Sequence, residues 1–313
     1  MQNNKNYIGG ESSKHSHSHG SIDPSIISTN KGIWAVKWSF IILMTTFIIQ
    51  VIIVLYTGSV ALLADTIHNL GDAVTAIPLG IAFQFAKRKP SKSFTYGFGR
   101  VEDLAGVIVV LIILISAVVA GYQAVDRIIH PLPIQNIWAV IVASIIGFIG
   151  NEGVAIFRIR VGKEIGSAAL IADGYHARID GFTSLAVLVG AIGVILGFPL
   201  ADPVIGVLIT LTILKIVWDS AKKVFTRLLD GVEPEYLDEI QHALTHVTGI
   251  KKIINIKARW SGHQLLTEVY IRIDKSNSLP EAHKIVEEVE HSIMDHIKYV
   301  SNVIVDIEPH HTS

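Results

Sequence analysis

The chain has 313 residues with a formal net charge of −1, a mean hydropathy of +0.49 and only 17% charged residues. Soluble domains carry about 25% charged residues, so this composition excludes an ordinary soluble enzyme. The balanced charge lacks the basic excess that nucleic-acid binding requires, which excludes nucleic acid as a default partner. The chain contains no cysteine. Disulfides and thiolate metal sites are therefore excluded, and any metal ligands must be nitrogen or oxygen atoms.

Residues 1–32 are polar and rich in Ser, Asn, Gly and His, without the apolar core of a cleavable signal peptide. We expect a disordered cytoplasmic tail. Within it His15, His17 and His19 alternate along the chain. Two interpretations are equally open: a weak collector of metal ions near the pore entrance, or a solvated low-complexity segment without a specific role.

Six apolar windows follow the tail. A bilayer core of about 30 Å needs ~20 apolar residues per helix, and each window reaches that length. Lys and Arg cluster in the loops after the second and fourth windows and again after the sixth. The positive-inside rule therefore places both termini in the cytoplasm, in a multi-pass protein that we expect in the cell (inner) membrane. The predicted spans are about 33–56, 59–85, 102–125, 135–159, 167–196 and 202–220.

After Leu229 the charge density rises and the apolar runs shorten. The periodicity predicts two amphipathic helices and three strands in the order αββαβ, which suits a small two-layer α+β domain. The predicted elements are a helix over 234–245, strands over 252–259 and 265–273, a helix over 279–297 and a strand over 302–307. We therefore predict a tail over 1–32, a transmembrane domain over 33–222 and a cytosolic domain over 223–313.

Two of the predicted spans carry the same polar pattern. Residues 61–80 align without a gap to residues 169–188, with seven identical positions. The identical positions include three pairs of ionisable residues: Asp65 with Asp173, His68 with His176, and Asp72 with Asp180. The second span is predicted to run inward and the fifth outward. The repeat is therefore inverted, an arrangement with which many secondary transporters build a site at the bilayer midplane.

His and Asp stand four residues apart in each repeat, so they share one helix face. Two such faces present two imidazoles and two carboxylates, a donor set suited to tetrahedral zinc. An Asp at mid-membrane costs about 2.5–3.5 kcal/mol, which a bound dication would offset. Asp65 and Asp173 precede each His by three residues and could orient it, with helix packing or a water-lined path as the alternative. Arg178 projects away from this face.

At these residues the chain resembles the cation diffusion facilitator (CDF) family of metal/proton antiporters, in its zinc-type branch. The resemblance extends to the segment Tyr96-Gly97-Phe98-Gly99-Arg100-Val101-Glu102, to Asp202-Pro203 and to a tail like the family's metallochaperone-like dimerisation domain. It implies six transmembrane helices in two inverted three-helix repeats, a homodimer, and no enzymatic activity. It also implies a transport site at His68, Asp72, His176 and Asp180.

The chain departs from the family pattern in two places. The loop between the second and third spans has no acidic residue or histidine before Glu102, so the second metal site that some members hold there is not expected. In the cytosolic domain, Ile254 and Tyr270 occupy positions where a histidine is expected. A regulatory zinc site using His263, His283 and Glu308 is an expectation drawn from the resemblance. Zinc is thus the expected substrate and regulatory ligand, and no cofactor is expected.

The resulting hypothesis is a secondary transporter that exports zinc from the cytoplasm in exchange for protons. Alternatives are efflux of a broader set of divalent cations (cadmium, cobalt, iron), a passive channel, and a membrane sensor that binds metal without transporting it. An intramembrane metalloprotease would need a His-Glu-x-x-His segment, and none occurs. Asn151 and Glu152 either line the entry path or bond neighbouring helices. His242 and His246 are interpreted as part of an exposed helix face.

Overall fold

The computed structural model describes residues 24–57, 76–129, 137–198 and 201–308. Before residue 229 these ranges contain six helices, of which α2 is described only in part. Their bounds are α1 Pro24–Thr57, α2 Ala76–Ala86 in its described part, α3 Arg100–Ile129, α4 Ile137–Ile165, α5 Ala168–Ile195 and α6 Ala201–Leu228.

Three described segments are long and apolar enough to cross a membrane: Ser28–Ile53, Arg100–Val119 and Ile137–Ile165. Large apolar side chains such as Ile52, Ile115 and Ile149 are exposed on their outer faces. Such a surface is unfavourable in water and suits contact with lipid. The described part of the chain therefore has an apolar helical membrane domain, while a count of six spans stays a prediction.

Helices α4 and α5 pack closely because glycines stand at their contacts. A Cβ atom added at Gly174 of α5 would lie 3.0 Å from the backbone nitrogen of Ile159 on α4. One added at Gly162 of α4 would lie 3.0 Å from the backbone nitrogen of Ile171 on α5. Without these Cβ atoms the two antiparallel backbones approach each other directly. Polar side chains on this pair of helices are consequently held against one another.

Two helix ends differ from the predicted domain boundaries. Helix α1 begins at Pro24, inside the predicted tail, and α6 continues to Leu228, past the predicted boundary at residue 222. The prediction identified the apolar stretch that lipid covers, whereas each helix continues beyond it among polar residues. Thr29 and Arg227 in these extensions contact the cytosolic domain, and an apolar window does not detect such contacts.

The C-terminal domain has the predicted order αββαβ. Strand β1 is antiparallel to β2, β2 is parallel to β3, and β2 is the central strand. Helices α7 and α8 pack against the sheet around a buried core that includes Trp260, Leu265 and Ile293. Ser278 and Glu281 form a capping box that starts α8. The bounds are α7 Pro234–Thr245, β1 Lys252–Ser261, β2 Gln264–Arg272, α8 Leu279–His296 and β3 Val300–Ile307.

Candidate metal centre

Half of the predicted transport site lies on α5. The start of this helix is fixed by Ser167, whose hydroxyl accepts a 3.0 Å hydrogen bond from the backbone nitrogen of Leu170. His176 and Asp180 follow on one face, one turn apart, with exposed side-chain fractions of 1% and 2%. The Nδ1 atom of His176 lies 3.7 Å from an Oδ2 oxygen of Asp180. A nitrogen and a carboxylate oxygen are therefore presented together, in a part of the domain shielded from solvent.

The other half of the predicted quartet, His68 and Asp72, lies outside the described residues, as does Asp65. Whether the two halves meet around one ion therefore stays a prediction. Within the described ranges, no group of three or more His, Asp or Glu residues is arranged to hold a metal ion. If the α5 pair binds a metal ion, a tetrahedral site would need two more ligands from elsewhere in the chain.

Asp173 forms an ion pair with a residue of the neighbouring helix. Its Oδ2 oxygen lies 2.9 Å from Nη1 of Arg158 on α4, and the two side chains are 0% and 1% exposed. No hydrogen bond joins Asp173 to His176 among the described residues. The ion pair between α4 and α5 fits the helix-packing role considered for Asp173, and its role in orienting His176 stays a prediction. Sequence reasoning missed Arg158, although an arginine inside a predicted membrane helix signals a buried partner.

A second ion pair connects the same two helices. Nη2 of Arg178 donates to Oε1 of Glu152 at 2.8 Å, and its Nε donates to Oε2 at 3.2 Å. Both side chains are partly exposed. Glu152 therefore bonds a neighbouring helix, one of the two roles considered for it. Asn151 beside it is buried, and its side-chain nitrogen has no hydrogen-bond partner among the described residues.

The predicted regulatory site in the cytosolic domain is not formed within one chain. His263 lies in the turn between β1 and β2, whereas the backbone nitrogen of Glu308 donates to the carbonyl of Ile271, at the opposite end of β2. The length of β2 therefore separates His263 from Glu308 by ~20 Å. His283 lies on α8 with a side chain that is 72% exposed, 3.5 Å from Glu287. Sequence order could not reveal this separation, because it depends on strand pairing.

His263 instead joins the two domains. Its Nδ1 atom lies 2.6 Å from Oε2 of Glu102 at the start of α3, and its Nε2 lies 3.2 Å from the Thr29 hydroxyl on α1. The backbone nitrogen of Gly262 donates to Asp103 at 3.1 Å. All four side chains in these contacts are buried. The tip of the β1–β2 hairpin is thus enclosed by the ends of two membrane-domain helices.

Arg227 forms a second connection, at the end of α6. Its guanidinium donates to the carbonyl of Gly166 at 2.5 Å and to Glu233 at 3.0 Å, and it lies 3.9 Å from the centre of the Trp260 ring. The indole nitrogen of Trp260 donates to the other oxygen of Glu233 at 2.8 Å. Burial raises the pKa of Glu233, but the Arg227 charge and these hydrogen bonds outweigh it, so the net shift is downward.

The remaining candidate metal ligands are the tail histidines, the histidine pair of the C-terminal domain and the loop after α2. His15, His17 and His19 lie outside the described residues. His242 and His246 are exposed on the C-terminal domain, and their ring centres are 4.9 Å apart, in agreement with an exposed helix face. The loop 87–99 contains no acidic residue or histidine that could bind a second metal ion.

Comparison with known families covers nearly all of the described chain. A family model for the cation efflux transmembrane domain matches residues 36–229, and one for the cytoplasmic domain of cation efflux proteins matches residues 232–310. The chain belongs to the cation efflux family. Its members are transporters, and they move divalent metal cations out of the cytoplasm. The CDF resemblance is confirmed, and the boundary between the two domains lies at the end of α6.

Relatives of this cation efflux protein match over most of their length. A probable cation efflux system protein from Mycobacterium tuberculosis is 49% identical over 296 residues, which cover 94% of this chain and 89% of the relative. The magnetosome protein MamB from Magnetospirillum gryphiswaldense is 27% identical, covering 88% and 93%. The manganese efflux system protein MneP from Bacillus subtilis is 25% identical, covering 80% and 87%.

Among solved structures, the C-terminal domain of MamM is similar to the cytoplasmic domain of this cation efflux protein. The identity is 25%, and the match covers 25% of this chain and 98% of that domain, with a TM-score of 0.24. This likeness extends to the cytoplasmic domain alone.

Proposed function

We propose that this cation efflux protein exports zinc in exchange for protons, by alternating access to one metal site inside the membrane domain. The observation that carries the proposal is the burial of His176 and Asp180 one turn apart on α5. A buried imidazole beside a buried carboxylate is costly in a membrane unless the pair serves an ion or a proton. Divalent cation efflux is the established activity of the family.

The donor set favours zinc. His68 and Asp72 repeat the His176 and Asp180 spacing in a second apolar segment, which supports a site of two nitrogens and two oxygens. Zinc accepts this mixed set in tetrahedral geometry, whereas manganese and magnesium favour sites built mainly from oxygen. Family membership alone does not choose among the metals, because the relative MneP is named as a manganese efflux protein.

Competition between metal and protons supplies the coupling. Imidazole and carboxylate bind a metal only when deprotonated, so each zinc ion that binds displaces protons from its ligands. An unperturbed imidazole has a pKa of about 6.5 and therefore changes charge within the range of a physiological proton gradient. Protons entering from the outer side would then release zinc outward and reset the site toward the cytoplasm.

The architecture that fits this cycle has six transmembrane helices in two inverted three-helix repeats, with both termini in the cytoplasm. Rocking of the repeats about a fixed midplane site would expose the ion to each side in turn. The family model of the cytoplasmic domain supports a homodimer. The positive charges in the loops after α2, α4 and α6 support this orientation, and the cell (inner) membrane is the proposed location.

Flux into proteoliposomes tests the proposal. Vesicles containing a zinc-sensitive dye should show zinc uptake that rises when a pH gradient is imposed. The variants His176→Ala and Asp180→Asn should lose this uptake, whereas His283→Ala, at an exposed position outside the site, should keep it. Wild-type uptake rates in His176→Ala or Asp180→Asn would refute the site. Zinc uptake that does not change when the pH gradient is imposed would refute the exchange of zinc for protons and favour a passive channel.

A panel of metals separates the alternatives. Zinc, cadmium, cobalt, iron and manganese are offered in turn to the same vesicles. Comparable uptake of several metals would show that the protein is not specific for zinc and exports a broad set of divalent cations. Metal binding without uptake of any of them would favour a sensor that does not transport.

A further inference from the structure

The ion pair between Arg158 and Asp173 lies beside the proposed transport site. Asp173 stands three residues before His176 and seven before Asp180, and these spacings place all three side chains on one face of α5. All three are also buried. The α5 face therefore carries two carboxylates and one imidazole, one carboxylate more than the proposed metal site uses.

Arg158 is the compensating charge for this additional carboxylate. Among the described residues, neither oxygen of Asp173 has a hydrogen-bond partner. Its polar contact there is the ion pair with Arg158. Arg158 reaches across from α4, where a Cβ added at Gly174 would lie only 3.1 Å from the Arg158 Cβ. The close helix packing confines the guanidinium next to Asp173.

Arg158 balances the charge that Asp173 adds on α5. A dication would be neutralised by Asp72 and Asp180, and Asp173 adds one further negative charge on this helix. The Arg158 guanidinium removes this excess, which would otherwise be expensive inside a membrane. It also keeps the Asp173 oxygens from serving as ligands, because a carboxylate paired with a guanidinium is less available to a cation.

We propose that Arg158 is a specificity-determining positioning residue, which holds Asp173 away from the transported ion and so disfavours cations that prefer oxygen ligands. The inference rests on the proposed transport site and extends it. With Asp173 withheld, the ion meets two imidazoles and two carboxylates, a set that suits zinc. With Asp173 released, the same site offers a third carboxylate, and manganese gains relative to zinc.

The test measures metal binding as well as transport. Zinc and manganese affinities of detergent-purified protein are determined by competition with a fluorescent chelator, and initial uptake rates are measured in proteoliposomes. Arg158→Gln should shift the ratio of the two dissociation constants toward manganese by about tenfold. The double variant Arg158→Gln with Asp173→Asn removes both charges and should return the ratio to within about twofold of wild type.

Arg178→Gln is the matched control, because it breaks the other ion pair between α4 and α5 without releasing Asp173. If the Arg158 pair only stabilised the helix contact, Arg158→Gln would lower stability more than Arg178→Gln, because its pair is buried, and would leave the metal ratio unchanged. The proposal is overturned by a wild-type ratio in folded Arg158→Gln protein. It is also overturned if the double variant stays as shifted as the single one.

Arg158→Gln leaves a buried carboxylate unpaired, and this variant could fail to fold. In that case the variant Asp173→Asn is used to test the proposal. It leaves the guanidinium uncompensated beside the site and should weaken zinc binding by about tenfold, with recovery when Arg158→Gln is added. Unchanged zinc affinity in folded Asp173→Asn protein overturns the proposal.

Asp180→Asn separates this inference from the proposed function. It should lose zinc binding whatever happens at Arg158. Wild-type zinc binding by Asp180→Asn would refute the proposed site itself. Lost binding in Asp180→Asn together with an unchanged metal ratio in Arg158→Gln would refute only the role of Arg158.

Discussion

The Nδ1 atom of His263 lies 2.6 Å from the Oε2 oxygen of Glu102, and both side chains are buried where the cytosolic hairpin meets α3. Removing the imidazole leaves the buried Glu102 oxygen without this hydrogen-bond partner, which costs about 1–3 kcal/mol. We therefore expect His263→Ala to lower the unfolding free energy by about 2 kcal/mol. Unfolding of the purified protein, followed by denaturant titration, measures this change.

His283→Ala is the control for this prediction, because His283 also belongs to the C-terminal domain but is mostly exposed. Its effect should stay within about 0.5 kcal/mol. Equal effects of the two substitutions would show that the buried contact to Glu102 does not stabilise the domain junction.

Glu233 should make the junction sensitive to acid. Its pKa in the folded protein is below the ordinary value of 4.5, since Arg227 and the hydrogen bonds outweigh the effect of burial. A lowered carboxyl pKa contributes stability that is fully present above 4.5 and is lost as the pH falls through the folded-state value. The melting-temperature difference between wild type and Glu233→Gln should therefore be largest near neutral pH and shrink in acid.

Melting temperatures of both proteins measured across this pH range provide the test. Tyr236, whose pKa is raised to about 12 by burial and by neighbouring Tyr299 and Glu233, stays neutral throughout and does not obscure the result. A difference between the two proteins that is constant with pH would show that the Glu233 carboxylate does not contribute through its charge.

The C-terminal domain could be predicted from sequence because its signals are local. Pro234 opens α7, the capping box at Ser278 opens α8, and alternating side chains mark the strands. The order αββαβ follows from these signals, and the strand ends differ from prediction by a few residues. The helix ends at Pro24 and Leu228 were missed because contacts between domains, and not local sequence, extend these helices.

For the candidate site, too, features with a local sequence signal could be predicted, and contacts between separate elements could not. The spacing of His176 and Asp180 on one face followed from the helical period, and the structure shows both side chains buried. The partner of His263 could not be predicted, because it comes from an element distant in sequence, whereas Arg158 on the preceding helix was a signal that sequence reasoning missed. Arg158 lies 15 residues from Asp173 along the chain, and Glu102 lies 161 residues from His263.

The tail histidines give a prediction about substrate capture. If His15, His17 and His19 collect zinc near the entrance, they raise its local concentration without changing the transport step. Replacing all three by Gln should raise KM for zinc about two- to threefold while kcat stays constant. Initial uptake rates over a range of zinc concentrations provide both constants. An unchanged KM would favour a solvated tail without a role in transport, and complete loss of transport would refute weak collection.

Gly166 should be intolerant of any side chain. It connects α4 to α5 with a φ of +77°. An added Cβ would lie 2.9 Å from the Tyr299 ring of the cytosolic domain. Alanine therefore incurs a left-handed backbone cost of about 1 kcal/mol and a steric overlap in addition. Gly166→Ala should lower the unfolding free energy by about 2–3 kcal/mol in denaturant titration.

Gly197→Ala provides the matched control. Gly197 also has a positive φ, +86°, but no described residue lies within 4 Å of its added Cβ, so we expect only the backbone cost of about 1 kcal/mol. The difference between the two variants measures the overlap with Tyr299, and Tyr299→Leu in the Gly166→Ala background should recover part of it. Equal losses in the two glycine variants would show that Tyr299 does not press against this turn, and the contact between the domains would then depend on Arg227 and His263.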